Sequence, residues 1–332
     1  MPLPEAAEQA VHVRPVGPNG LYPAPEGARP LSLPAWALRD SAASWLAEYL
    51  QSLRTLARAI PRFASLTITY QPGTSFFDQV APVLLMARFY GLRTILRYRS
   101  NKAETELEDY GRGALPFLRM ADRIEVSCGH LARTFAGYGL TAAVVPDRID
   151  GDLFRARRIE TVQPRIIITR RLIRGNGLTG AVKAFQLVKM KYPRAELVIA
   201  GDGPLRPWLE RFVGLERIYG VTFTGQLDQD GIARLMAASD VYLNNATTDG
   251  LPTSLLEAMA SGLCVVTTPV GDIPRLIRDG RNGLLVPIND FAALANRIVE
   301  LVETPPLCAH LSRCAARSIA SSVDRSNTAF RV

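Results

Sequence analysis

The sequence predicts an α/β protein of two lobes, each a parallel sheet with crossover helices. Three observations carry this reading. From Arg165 to Val286, six short apolar runs alternate with helix-length periodic segments, the pattern of a doubly wound sheet. A looser version of the same alternation fills Leu66 to Val145. The chain also has 332 residues, 48% apolar and 21% charged, which is ordinary for a folded protein but more than one core usually serves. Residues 147 to 163 are polar and basic. The expected organisation is a first lobe over 1–150, a linker over 151–163, a second lobe over 164–305 and a tail over 306–332.

Along the first lobe, Pro15, Pro18, Pro23, Pro25, Pro30 and Pro34 exclude long helices and leave room for one short strand around Val11 to Val13. Apolar residues from Trp45 to Ile60 recur at helical spacing, with Arg54, Arg58 and Arg62 on the other face. Strands follow at Leu66 to Tyr70, Thr94 to Tyr98, Arg123 to Val126 and Ala142 to Val145, with helices over Phe77 to Tyr90 and Leu131 to Tyr138.

The second lobe is more regular. Its strands are expected at Arg165 to Thr169, Glu196 to Ala200, Val221 to Thr224, Val241 to Asn244, Cys264 to Thr267 and Leu284 to Val286. The tail from His310 to Val332 is polar and weakly periodic.

A formal charge of +8 at pH 7 favours an anionic partner. Nucleic acid ranks last, because the arginines are scattered and no binding motif accompanies them. Cys128, Cys264, Cys308 and Cys314 form no CxxC pair, and only three histidines are present. A reduced, cytoplasmic chain without a metal is therefore expected. No apolar run reaches the length of a membrane span, so any membrane contact is expected to be peripheral. The basic face at Arg54, Arg58 and Arg62 suits the inner face of an anionic membrane, and a solvated helix face is the plain alternative.

Chemistry is expected beyond the carboxyl ends of the strands. There, Asp249-Gly250-Leu251-Pro252-Thr253 leads into a helix that carries Glu257 and ends at Gly262. The unpaired amides of that helix start would face an anion. Asp249 is placed to hold sugar hydroxyls and Glu257 to hold a ribose; the plain alternative is a loop acid and a solvated helix residue.

This stretch resembles the E-x7-E motif of family 4 of the glycosyltransferases, which are retaining enzymes of the GT-B fold with two Rossmann-like lobes facing a central cleft. Asp249 stands where the first acid is usually Glu. The resemblance implies that Asp249 and Glu257 contact the donor sugar and the ribose, and that Gly250, Leu251, Pro252 and Thr253 line the transferred sugar. Arg170-Arg171-Leu172 through Asn176-Gly177 is similar to the family's G-R-L-x3-K-G segment, whose Arg and Lys clamp the diphosphate. Arg171 takes the Arg position, and Asn176 replaces the Lys. An Asn donates a hydrogen bond but no charge, which lowers the expected rate or shifts the burden to Arg170 or Arg174.

Gly201-Asp202-Gly203-Pro204 resembles the G-x-G-P turn beside the base, and Phe223-Thr224-Gly225 the F-x-G strand end. Gly271-Asp272-Ile273-Pro274-Arg275, followed by Asp279-Gly280, resembles G-G-x-P-E…D-G-x-x-G-L-L-V, with Asp272 and Arg275 as departures. In the first lobe Arg99 holds the place of a His facing the sugar, and His130 follows a V-P-S-x-x-L-like turn. Gly73-Thr74-Ser75 is a further candidate for acceptor or phosphate.

No glycine-rich turn follows a first strand, and the closing helix looks short. A fragment, a displaced start and a degenerate member all stay open as readings of these departures.

The implied reaction moves a sugar from a UDP- or GDP-sugar donor to a glycan, lipid-linked or other acceptor, with no cofactor and no metal. It would belong to polysaccharide or glycoconjugate biosynthesis. The alternative is a catalytically silent sugar-nucleotide- or glycan-binding partner. A dinucleotide-binding enzyme would need a G-x-G-x-x-G turn with an acid about twenty residues on, and none stands out.

Overall fold

The computed structural model describes residues 11–16, 31–33, 51, 53–55, 57, 58 and 65–322, apart from 71–75, 100–102, 110, 148, 158 and 160–162. Arg62, Gly73-Thr74-Ser75 and the tail beyond 322 lie outside the described residues. The chain divides into two compact units, 1–145 and 146–332.

The first unit is a six-stranded sheet in the order β2-β1-β3-β4-β5-β6. The strands β3 (Ser65–Tyr70), β4 (Arg93–Tyr98), β5 (Arg123–Val126) and β6 (Ala142–Val144) run parallel, as expected. The expectation of a purely parallel sheet is corrected at one side. β1 (Val11–Val16) pairs antiparallel with β3, and the unanticipated β2 (Leu31–Leu33) pairs antiparallel with β1. A proline-rich stretch excludes helices but still permits an edge strand.

Helices α1 (Phe76–Phe89), α2 (Ala103–Asp109), α3 (Gly111–Leu118) and α4 (Gly129–Gly137) belong to the unit, and the described residues 51, 53–55, 57 and 58 are also helical. Tyr98 is packed between Tyr70 and Phe135, with ring centroids 4.8 and 5.0 Å away. Such aromatic pairs add about 0.5–1.5 kcal/mol each beyond area burial.

The second unit is wholly parallel. Its strands β7 (Arg165–Thr169), β8 (Glu196–Ala200), β9 (Val221–Gly225), β10 (Val241–Asn244), β11 (Cys264–Thr267) and β12 (Leu284–Leu285) lie in the order β12-β11-β10-β7-β8-β9. Helices α5 (Leu178–Lys191), α6 (Arg206–Leu215), α7 (Gln229–Ala238), α8 (Thr253–Ala260), α9 (Ile273–Leu276), α10 (Phe291–Glu303) and α11 (Pro305–Ser322) connect and follow them.

β10 and β11 are buried at every position, and β7 at every position after its first. Strands enclosed on both faces read as continuous apolar runs, which is why they stood out. Ile166, Ile168, Leu197, Ile199, Leu243 and Phe185 form the centre of the core. Asp228 and Asp290 cap α7 and α10 by accepting from the amides of Gly231 and Ala293, each at 2.8 Å.

At the amino end of β10, Asp240 is 1% exposed and is met by Arg157 at 2.7 Å and Arg165 at 3.2 Å. The arginines are one-third to nearly half exposed, so solvent screens them and Asp240 carries most of the burial. Asp240→Ala is expected to cost about 2 kcal/mol, read as a lower urea midpoint with unchanged slope.

Two further expectations are corrected. From Pro305 to Ser322 the chain is a helix, not a weakly periodic tail: Cys308, Leu311, Ala315 and Ile319 of α11 are buried. α11 also brings Cys308 to Cys264 of β11, with Cα atoms 6.1 Å apart, and the two are joined as a disulfide. Expected as separate thiols, they lie 44 residues apart in sequence, and packing in space, not spacing along the chain, makes them neighbours. Among the described residues no helix is long and apolar enough to cross a membrane.

Candidate active site

Sequence order reverses between β7 and β10, since β8 and β9 extend to one side and β11 and β12 to the other. A crevice opens outside the carboxyl ends at such a point. The ladder marks it: β10 pairs with β7 only at Val241–Ile166 and Tyr242–Ile167. Both strands run two residues further, so they part at the end where the site residues begin.

Arg170 follows β7 and reaches across the gap. Its Nη2 donates to Asp249 Oδ2 at 3.0 Å and to Asn176 Oδ1 at 3.3 Å, and its Nη1 donates to Asn244 Oδ1. The side chains of Arg170 and Asp249 are 11% and 5% exposed, so the pair is well shielded from solvent. Asn176 has its amide turned inward, donating to the Arg171 carbonyl at 2.7 Å. The Arg171 side chain is exposed. Alternate residues at a strand end point opposite ways, so adjacent arginines face different surroundings.

The loop from Asn244 to Pro252 carries the acids. Asp249 Oδ1 accepts from the Gly250 amide at 2.9 Å, and the Gly250 carbonyl accepts from the buried Asp272 amide at 2.9 Å. Gly271 has φ +59, and a Cβ there would lie 2.2 Å from the Asp249 carbonyl; glycine is required for that approach. Leu251 is buried.

Pro252 is the extended N-cap of α8 and makes no side-chain cap. Thr253 donates from its hydroxyl to Asp147 at 2.8 Å. Glu257, one turn further, is buried, and desolvation pushes its carboxyl up to about 7.

The turn Gly201–Leu205 braces the arginine loop from behind. The Leu172 amide donates to Asp202 O at 2.9 Å, and the Leu205 amide to Leu172 O at 2.9 Å. Gly201 and Gly203 lie against the carbonyls of Arg170 and Leu172.

The second unit thus gathers Asp249, Asn176, Gly250 and the Arg171 backbone around one crevice. Leu251 and Pro252 lead from Asp249 into α8, which carries Thr253 and Glu257, and Gly201 and Gly203 stand behind the arginine loop. Arg99 directly follows β4 and His130 lies in the first turn of α4, both in the first unit. Asn244 and the close approach at Gly271 were not singled out, and Arg170 was named only beside Arg174 as a substitute for the missing Lys charge. Their signal was a polar Asn-Asn pair closing a buried apolar strand and an Arg where the resembled motif has Gly.

Residues 163–304 match the model of the family described as glycosyl transferases group 1. That match lies within the second unit. A phosphatidyl-myo-inositol mannosyltransferase of Mycobacterium tuberculosis is 30% identical over 204 residues, 57% of this chain and 52% of that protein. An uncharacterized glycosyltransferase of Methanocaldococcus jannaschii is 28% identical over 141 residues, 42% of this chain and 36% of that protein. This chain therefore spans about half the length, or less, of the curated relatives it matches.

Among solved structures, Anabaena HepE in complex with UDP-glucose has a TM-score of 0.69 at 16% identity, covering 89% of this chain and 82% of that one. In complex with UDP and glucose it has a TM-score of 0.67 at 17% identity, covering 86% and 79%. That likeness shows the fold alone: α/β, built on largely parallel sheets. The matched stretch runs from β7 through α10 and includes the residues at the switch point.

Proposed function

We propose that the chain is a retaining glycosyltransferase that moves a hexose-type unit from a UDP- or GDP-sugar to an acceptor hydroxyl, on a glycan or a lipid-linked carrier, in polysaccharide or glycoconjugate assembly. The observation that carries this reading is the convergence of Arg170, Asn176 and Asp249 at the point where β7 and β10 part, beside the uncapped start of α8. A cation, a sugar-binding acid and free helix amides are what a sugar diphosphate requires. Glycosyltransferase relatives and the shared GT-B fold support it.

In this reading the bond between the anomeric carbon and the diphosphate oxygen breaks through an oxocarbenium-like transition state. Negative charge grows on the diphosphate, where the arginine loop and the first amides of α8 meet it. The acceptor oxygen bonds to the same face, and its proton passes to the leaving diphosphate. Asp249 holds sugar hydroxyls and Glu257 the ribose, without a metal.

A thermal-shift screen against UDP-, GDP- and ADP-sugars tests the reading. One nucleotide class should stabilise the protein, and Glu257→Gln should lose that stabilisation. Identical shifts in both proteins would remove Glu257 from the site. Release of UDP or GDP only when an acceptor is present separates turnover from the silent-partner alternative, which Asn176 and Arg99 motivate.

A further inference from the structure

Of the two arginines that could take over from the missing Lys, Arg170 has its guanidinium held at the point where β7 and β10 part. We propose that Arg170 is the residue that binds the donor's diphosphate, with Asn176, Asn244 and Asp249 as its holders; this rests on the sugar-nucleotide reading above. Position 176 supplies no charge, and its amide is committed to the Arg171 carbonyl. What Asn176 offers toward the crevice is its oxygen, and Arg170 takes it. The two sides of the gap each hold the guanidinium: Asn176 from the loop after β7, and Asn244 and Asp249 from the end of β10 and the loop beyond it.

Three oxygens fixing one planar fork make a preorganised anion site, because the rotamer freedom of the arginine is already lost before a ligand arrives. Its Nε is buried and has no partner. An unpaired buried donor is costly. Behind the side chain, the Arg170 carbonyl rests against Gly201, so the backbone that carries the fork cannot retreat.

The same arrangement gives Asp249 a second task. Its Oδ2 holds Arg170 while its Oδ1 accepts from its neighbour's amide. The acid is therefore a positioning residue for the phosphate-binding fork as well as a sugar contact.

Titration of the full chain with UDP and GDP, and separately with uridine and guanosine, tests the proposal. Arg170→Gln should weaken the diphosphate that binds wild type about tenfold to a hundredfold and leave the matching nucleoside within about twofold. Arg170→Gln leaves Asp249 without its cation, so a folding defect must be told apart from a lost contact. The double variant Arg170→Gln with Asn176→Lys returns a charge and a partner for Asp249 to the same pocket, and it should recover most of the lost affinity. Diphosphate binding unchanged in Arg170→Gln would overturn the proposal, as would an equal loss for nucleoside and diphosphate or no recovery in a folded double variant. A wild-type protein that binds neither UDP nor GDP would instead overturn the sugar-nucleotide reading itself, and this assignment with it.

Discussion

Gly201→Ala should lower stability by about 2–4 kcal/mol and weaken UDP or GDP binding at least tenfold. Gly201 has φ +138, and an added Cβ would sit 2.1 Å from the Arg170 carbonyl oxygen and 2.9 Å from its carbon. Both atoms are backbone, so neither can swing aside as the end of a side chain would. The Gly201 amide is tied to Gly225 O at 2.8 Å, and the Arg170 amide to Ala200 O at 3.0 Å. The strand ends must therefore separate, and Arg170 moves with them. A misplacement of about an ångström at a site of this kind is enough to lose most of its function.

Denaturant melts and nucleotide titration read the two effects separately. Gly214 of α6 has nothing within 4 Å of an added Cβ, so Gly214→Ala should be neutral or stabilising by up to about 1 kcal/mol. A Gly201→Ala protein that melts and binds like wild type would mean that the turn does not brace the arginine loop.

The second large effect is a pH dependence centred on Glu257, whose carboxyl is raised from 4.5 to about 7 by desolvation. Because the folded value lies above the unfolded one, the fold favours the neutral acid. The resulting penalty is absent below about pH 4.5 and grows as pH rises to about 7, so the unliganded protein loses stability across that window. Binding runs the other way. A carboxyl that accepts from ribose hydroxyls does so best when ionised, and its ionised fraction rises from about a tenth at pH 6 to about nine-tenths at pH 8.

Affinity for the nucleotide should therefore increase about tenfold between pH 6 and pH 8, with a proton released on binding near pH 6.5. Titrations in buffers of different ionisation enthalpy measure both. In Glu257→Gln the affinity should be weak and flat over the same range; a slope that survives the substitution would belong to another group.

Much of the second lobe was legible because burial on both faces writes a strand as an uninterrupted apolar run, as in Arg165–Thr169 and Cys264–Thr267. The loop acids were legible because a Gly-Leu-Pro turn announces the helix that carries Glu257. The hidden features were those that depend on which strands become neighbours. Arg170 and Arg171 are identical letters at a strand end, and only the parting of β7 and β10 makes the first of them face Asn244 and Asp249. Cys264 and Cys308 meet because α11 folds back on β11. In the first lobe, an antiparallel edge pair is set by partner choice, and no local period at Val11–Val16 distinguishes it from a parallel strand.

β7 and β10 each have a strand on either side, so the groups facing a ligand are carried by the segments of the sheet least able to fray. Their amides should be the slowest to exchange with deuterium in the unit. A molecule arriving there meets a surface already set and spends little of its binding free energy on ordering the chain. The outermost strands, β9 and β12, are correspondingly where insertions can accumulate without altering what is recognised.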